Sequence, residues 1–301
     1  MREAVPIFLR AHTERVTPTH PRERARSGAR ANRAPGGPRW PEYALVFDCE
    51  TTLDPRQTLT IGVYRFCRAH NGSGYVCLEE GLFYDDAIDQ VQSGAPAILE
   101  AYIPRHAADT PSGCPSQIRL LSRSAFLEDV FWRAVLNAPH GAGALAVAFN
   151  LPFDLSRLAV DCRKAKRRKE GWSLVVSQDT DPVTGAVRDN PLRPRIIVTP
   201  KDSKAAFVRL AGVGVRSKRT GKRLKPYTRG RFLDLRTLGW VLRSESYSLK
   251  NACQAFRCEP KGDYAPTGQV SVAEIDYCRQ DVRATVALLN AMRTEFDRHP
   301  V

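Results

Sequence analysis

Three short clusters hold the side chains best suited to chemistry. In Asp48-Cys49-Glu50, one residue separates two carboxylates. On a strand, alternate side chains share a face, so Asp48 and Glu50 point one way and Cys49 the other. Like charges held this close repel unless a cation sits between them, and oxygen ligands suit Mg²⁺ or Mn²⁺. The plain alternative is a solvated strand end, since a D-x-E spacing is expected about once in a chain of this size. The second cluster, Phe149-Asn150-Leu151-Pro152-Phe153-Asp154, leads from an apolar run through Asn150 to an acid at the start of a helix. Helix capping alone accounts for an acid there. The third cluster, Ile275-Asp276-Tyr277-Cys278-Arg279-Gln280-Asp281, places Tyr277 and Asp281 four apart on one helix face. Val270, Ala284 and Leu288 fall nearby, so that face looks inward, where a phenol and a carboxylate need partners. A Tyr–Asp surface pair is the alternative.

The elements that position these clusters follow from hydrophobic pattern. From Tyr43, YALVFDCE is a nearly continuous apolar run ending in acids, the pattern of a strand buried on both faces. Residues 58–68 and 74–84 are β-rich, and Asn71-Gly72 between them is a hairpin-turn signal. Residues 104–117 read as loop. Ser124 is the expected N-cap of a helix carrying Phe126, Leu127, Val130, Phe131, Ala134 and Val135 at helical spacing. A second buried strand spans 144–150, and a helix opens at Leu151. Residues 229–242 read as strand then helix, 247–256 as a short helix and 270–296 as a long one. Strands alternating with helices after an opening meander predict the α/β class, with one mixed sheet flanked by helices. Residues 161–231 read as two basic β-hairpins.

Composition and charge narrow the partners. The 301 residues are 43% hydrophobic and 26% charged, close to globular averages. No run approaches the 18 apolar residues of a membrane span, and the charged start does not read as a secretory signal, so no membrane association is expected. The eight cysteines include no CxxC pair and read as small buried hydrophobes in a reducing, cytoplasmic setting. The net charge of +14 is uneven: residues 1–40 carry +6, residues 161–231 carry +14, and the remainder about −6. A chain basic in one place and acidic in another meets a polyanion with its basic part. Arginine far outnumbers lysine, which reflects a GC-rich coding sequence as well as any demand for phosphate binding. Residues 1–40, rich in Arg, Gly and Pro, read as a disordered tail, leaving 41–301 as one domain. The stretch 216–225 reads as a hairpin tip whose Lys218, Arg219, Lys222, Arg223 and Lys225 suit backbone phosphates, with a charged, solvated loop as the alternative. There is no Walker loop, GVGV at 212–215 never completes G-x-G-x-x-G, and the six histidines are scattered.

Taken together, FDCETT (47–52), N-L-P-F-D (150–154) and Y-C-R-Q-D (277–281) resemble the DnaQ-like 3′–5′ exonuclease superfamily. The tyrosine points to its DEDDy branch, as in the proofreading domains of DNA polymerases. The branch with histidine would need it at position 276, where Asp276 stands. The resemblance covers roughly residues 43–296. It implies an RNase H-like fold in which Asp48, Glu50, Asp154 and Asp281 hold two Mg²⁺ or Mn²⁺ ions for in-line attack of water on the last phosphodiester. Tyr277 would orient the water or help deprotonate it. Asn150, Phe153, Thr51 and Thr52 become candidate substrate contacts. The implied activity removes mononucleotides from a single-stranded or frayed 3′ end, DNA ahead of RNA, with a separate DNA polymerase as a further partner. The basic 161–231 segment departs from the family pattern and reads as an insertion. The rival reading is a catalytically silent RNase H-like module that binds nucleic acid or a polymerase, against which stand all four acids and the tyrosine. Asp234 ends another strand near the expected cleft and reads as structural, with support of the site acids from behind as the alternative. Trp40, Phe153, Tyr227 and Trp240 offer rings for base stacking or for packing.

Overall fold

The computed structural model describes residues 40–70, 74–137, 143–165, 171–190, 192–201, 205–211, 231–259 and 262–298. The expected tail as far as residue 39, the Asn71-Gly72 turn, Tyr227 and the lysines and arginines of 216–225 lie outside the described residues.

The chain opens with an antiparallel meander, β1 (Tyr43–Thr51), β2 (Leu59–His70) and β3 (Gly74–Tyr84). Two short helices follow, α1 (Ile88–Val91) and α2 (Ala95–Tyr102), then a 3-10 turn at Ile103–Arg105. These helices have no counterpart in the sequence reading. Neither has a side-chain N-cap, and α2 starts from Gly94 at φ 83, so Pro96 in its opening turn is the main start signal and is easily read as part of a loop. β4 (Arg119–Ser122) pairs parallel to β3. A continuous helical stretch follows as α3 (Arg123–Phe126), a π-helical turn (Leu127–Phe131) and α4 (Trp132–Asn137). Its N-cap is Ser122, whose side chain accepts from Ala125 N at 3.2 Å, and not Ser124. Ser124 donates its N–H and hydroxyl to Asp86 at 3.0 and 2.7 Å.

β5 (Leu145–Ala148) then pairs parallel to β1, and α5 (Leu151–Leu158) starts three residues later. The basic segment contributes β6 (Asp161–Lys164), β7 (Trp172–Val175), β8 (Gln178–Thr180), β9 (Val187–Asp189), β10 (Ile196–Pro200) and β11 (Ala206–Leu210). These form an antiparallel sheet of order β11-β10-β7-β6 with β8 and β9 as a separate hairpin, where the sequence suggested two hairpins. β6 and β8 are mostly exposed and lack an alternating apolar pattern, so nothing in the sequence marks them as strands. β12 (Arg231–Asp234) returns to the main sheet beside β5, followed by α6 (Leu235–Arg243), α7 (Leu249–Ala255) and α8 (Val272–Phe296).

The main sheet has the order β12-β5-β1-β2-β3-β4, with β12, β5 and β1 parallel. Mixed α/β architecture with helices on both faces is therefore observed. β1 shows why: Ala44 and Val46 pack with Leu238, Ala252, Ile275 and Leu289 of the helices on one face, while Leu45 and Phe47 pack with Phe126, Phe131, Leu151 and Leu155 on the other. Two glycines admit aromatic rings to the sheet. A Cβ on Gly62 would stand 2.1 Å from the Phe83 ring, and one on Gly81 2.4 Å from the Tyr64 ring.

A buried ionic network sets the rotation of α8. Arg279 donates through Nε to Glu80 Oε1 at 2.7 Å, and to Tyr102 Oη and Ala107 O at 2.9 and 2.8 Å. Glu80, fully buried, also accepts from Arg65 at 3.3 Å and Asp109 N at 2.7 Å. Removing one partner of such a buried pair costs about 3–5 kcal/mol. Trp40 anchors the start of the described chain to the end of α8, donating Nε1–H to Asp297 at 2.8 Å and packing edge-on against Phe296. All eight cysteines are free. Five are buried, as the sequence suggests, but Cys114 and Cys258 are half-buried and Cys162 is exposed. Among the described residues no helix is long and apolar enough to cross a membrane.

Candidate active site

β1, β5 and β12 run parallel, so their C-terminal ends open on one edge of the sheet, where open α/β sheets place ligands. Asp48 and Glu50 stand at the end of β1. The β1–β2 ladder slips by one residue between Cys49 and Thr51, an irregularity of the kind that re-aims side chains beside active sites. Asn150 follows β5, and Asp234 ends β12.

Asp154 sits in the first turn of α5, a helix favoured by Pro152 in its opening positions. Its Oδ1 accepts from Cys49 N at 3.2 Å, and the Cys49 thiol approaches Asp154 O at 3.8 Å. The β1 backbone and α5 are thus tied together at the acids. Arg157, one turn further on, donates to the carbonyls of Arg56 and Gln57 at 3.1 and 2.5 Å, holding the loop after β1 to the same helix.

Asp234 bridges two helix starts. Its Oδ1 accepts from Leu151 N at 2.9 Å, and its Oδ2 from Thr237 N at 2.8 Å and from the Thr237 hydroxyl. One carboxylate therefore caps α6 and pins the first residue of α5, making Asp234 a positioning residue for Asp154. Burial, partly offset by these bonds, pushes its carboxyl up to about 6 from 3.8. With the folded value raised, the stability tied to this group is full below about pH 4 and lost as pH rises through 6, about 3 kcal/mol in all. In urea denaturation without divalent ions, Asp234→Asn is expected to flatten that part of the pH dependence. An unchanged slope between pH 4.5 and 7.5 would contradict it.

On α8, Tyr277 and Asp281 are 8% and 4% exposed, one turn apart. The Tyr264 ring packs on Tyr277 at 5.1 Å. Tyr264 is held in turn by donating to Glu274 at 3.0 Å, and Glu274 also accepts from Thr267 N and Gly268 N.

A cavity of about 570 Å³ is lined by Asp48, Glu50, Asp154, Tyr277 and Asp281, with Asn150 and Phe153 in its wall. Three segments far apart in sequence thus deliver four carboxylates and a phenol to one place. Burial, and next the Asp48 charge, drive the Asp154 carboxyl well above the ordinary range. Asp154 Oδ2 is buried and accepts no hydrogen bond. An acid so placed is costly unless a cation joins it. Donor atoms of Asp48, Glu50 and Cys278 lie within 4.8 Å of one another. Burial and the charges of Glu50, Asp48 and Asp281 push the Cys278 thiol up in the absence of an ion, while Asp48 and Glu50 offer hard carboxylate oxygens. Carboxylate oxygens of this kind are the donors that suit Mg²⁺ or Mn²⁺.

The other sequence candidates divide. Asn150 is the N-cap of α5 but makes no side-chain capping bond, which leaves its amide for the cavity. Phe153 presents its ring there with the Arg157 guanidinium stacked on it at 4.9 Å. Thr51 and Thr52 do not line the cavity. The Thr52 hydroxyl donates to Asp54 at 2.6 Å and accepts from Thr58 N at 3.0 Å, so it closes the loop after β1. Trp240 is also absent from the lining. Sequence reasoning missed Arg236, Tyr247 and Ser248, which do line it. Arg236 had a signal, two residues after the strand-ending Asp234; Tyr247 and Ser248 had only their place before a short helix. No family model matches the chain, and no curated protein is significantly similar to it.

Proposed function

We propose that the chain is a divalent-cation-dependent 3′–5′ exonuclease of the DnaQ-like DEDDy kind, acting on single-stranded or frayed 3′ ends, DNA ahead of RNA. One observation carries this reading: Asp48, Glu50, Asp154, Asp281 and Tyr277 converge on one cavity, with a buried, unpartnered carboxylate oxygen on Asp154. The sheet is compatible with the RNase H-like fold that the resemblance implies, as an antiparallel meander continued by two parallel strands.

Asp48, Glu50, Asp154 and Asp281 would hold the ions. Two divalent ions supply a nucleophilic water at neutral pH and stabilise charge on the leaving 3′ oxygen. The chain's own residues do the rest. The Tyr277 hydroxyl hydrogen-bonds the attacking water and fixes its approach to phosphorus. Asn150 offers an amide that both donates and accepts beside Asp154. The rings of Phe153 and Tyr247 give bases apolar faces to stack on. The acidic cavity repels a polyanion, so affinity must come from the basic surface of a chain carrying +14 overall.

The test is incubation with single-stranded DNA and RNA in Mg²⁺, in Mn²⁺ and in EDTA. Degradation is expected with either ion, faster on DNA, and none with EDTA. Binding without degradation in every condition would leave the silent module. Degradation of RNA alone would redirect the assignment to RNA trimming.

A further inference from the structure

Arg236 is the second residue of α6, whose start Asp234 fixes through Thr237. Its backbone N–H donates to Phe149 O at 3.1 Å, and both residues line the cavity that holds the four acids. Several arginines among the described residues have their guanidinium engaged. Arg279, Arg193 and Arg243 each form an ion pair, and Arg157 is taken up by carbonyls. Arg236 forms no salt bridge among the described residues, although carboxylates share its cavity, and its Nε is buried without an acceptor.

We infer that Arg236 contacts the substrate, receiving a backbone phosphate of the strand end at the carboxylate cavity; this rests on the exonuclease reading above. A guanidinium is a planar fork of donors that matches the oxygens of a phosphate two at a time, and it stays charged at every working pH. Phosphate oxygens accept from guanidinium N–H groups that no carboxylate engages in an ion pair among the described residues. A fixed cation in a wall otherwise rich in acids also offsets the repulsion met by the incoming phosphodiester. The α6 start is held by Asp234, so the guanidinium is carried on a rigid element and little ordering is needed when the strand arrives.

The test compares wild type, Arg236→Gln and Arg236→Lys on a short single-stranded oligodeoxynucleotide in Mn²⁺. Melting with and without Mn²⁺ reports folding and metal loading. Arg236→Gln should lower kcat/KM by about 100-fold, and Arg236→Lys by less, since a point charge keeps the attraction and loses the fork. The slope of log kcat/KM against log salt should become shallower by about 0.7 in Arg236→Gln, the signature of one lost phosphate contact on a single strand. The Mn²⁺-induced rise in melting temperature should stay at its wild-type size. An unchanged kcat/KM, or a fall with the salt slope unaltered, would overturn the assignment while leaving the exonuclease reading intact. An inactive wild-type protein would overturn both. If Arg236→Gln does not fold, Arg236→Lys decides alone by its kcat/KM and its recovery at low salt.

Discussion

Asp154→Asn is expected to lower exonuclease turnover by at least 10²–10³-fold, the loss seen when one preorganised electrostatic group is removed from an active site. The amide keeps an oxygen for the Cys49 N–H, so the link between β1 and α5 survives. It removes the charge that burial and Asp48 disfavour. Without metal, therefore, the variant should melt no lower than wild type at pH 7. With Mn²⁺ the order should reverse. A ligand at 100 times its dissociation constant stabilises by about 2.7 kcal/mol, and the variant should lose most of that gain. Turnover like that of wild type would refute the assignment of Asp154 as a metal ligand. A melting temperature well below wild type without metal would instead make Asp154 a structural acid.

Tyr277→Phe should reduce kcat by about 10²–10⁴-fold, the range for positioned proton-transfer groups, with KM nearly constant. The phenyl ring keeps the packing against Tyr264, and only the hydroxyl disappears. Because Tyr277 is buried on the same helix face as Asp281, the change should leave the Mn²⁺-induced stabilisation in place. A raised KM with normal kcat would make the residue a binding or packing group.

How much of this was legible in the sequence depended on the range of the interactions involved. The facing of Asp48 and Glu50 followed from strand alternation, and the shared face of Tyr277 and Asp281 from a spacing of four, both local rules. The four-stranded sheet of the basic segment was less visible, because its short strands include the largely exposed Asp161–Lys164. A supporting role for Asp234 was open from its place at a strand end near the cleft, but its partners were not readable, since they depend on β12 pairing beside β5, 83 residues from Leu151. Thr52 looked like a substrate contact only while its own loop was unknown; a short hydroxyl side chain readily satisfies neighbouring groups instead. Arg236 was indistinguishable from the many other arginines until its place in the wall of the carboxylate cavity was visible. Lys218, Arg219, Lys222, Arg223 and Lys225 lie outside the described residues, so their part in binding rests on charge alone.

A 3′–5′ exonuclease is distinguished most directly by the direction of cleavage and its dependence on a divalent ion. The same single-stranded DNA, labelled at its 3′ end in one sample and its 5′ end in another, tests both in Mg²⁺ against an EDTA control. The 3′ label is expected to leave at once as a mononucleotide, while the 5′-labelled strand shortens through a ladder of intermediates, and EDTA stops both. Immediate release of the 5′ label, internal cuts without a ladder, or degradation that persists in EDTA would contradict the exonuclease reading.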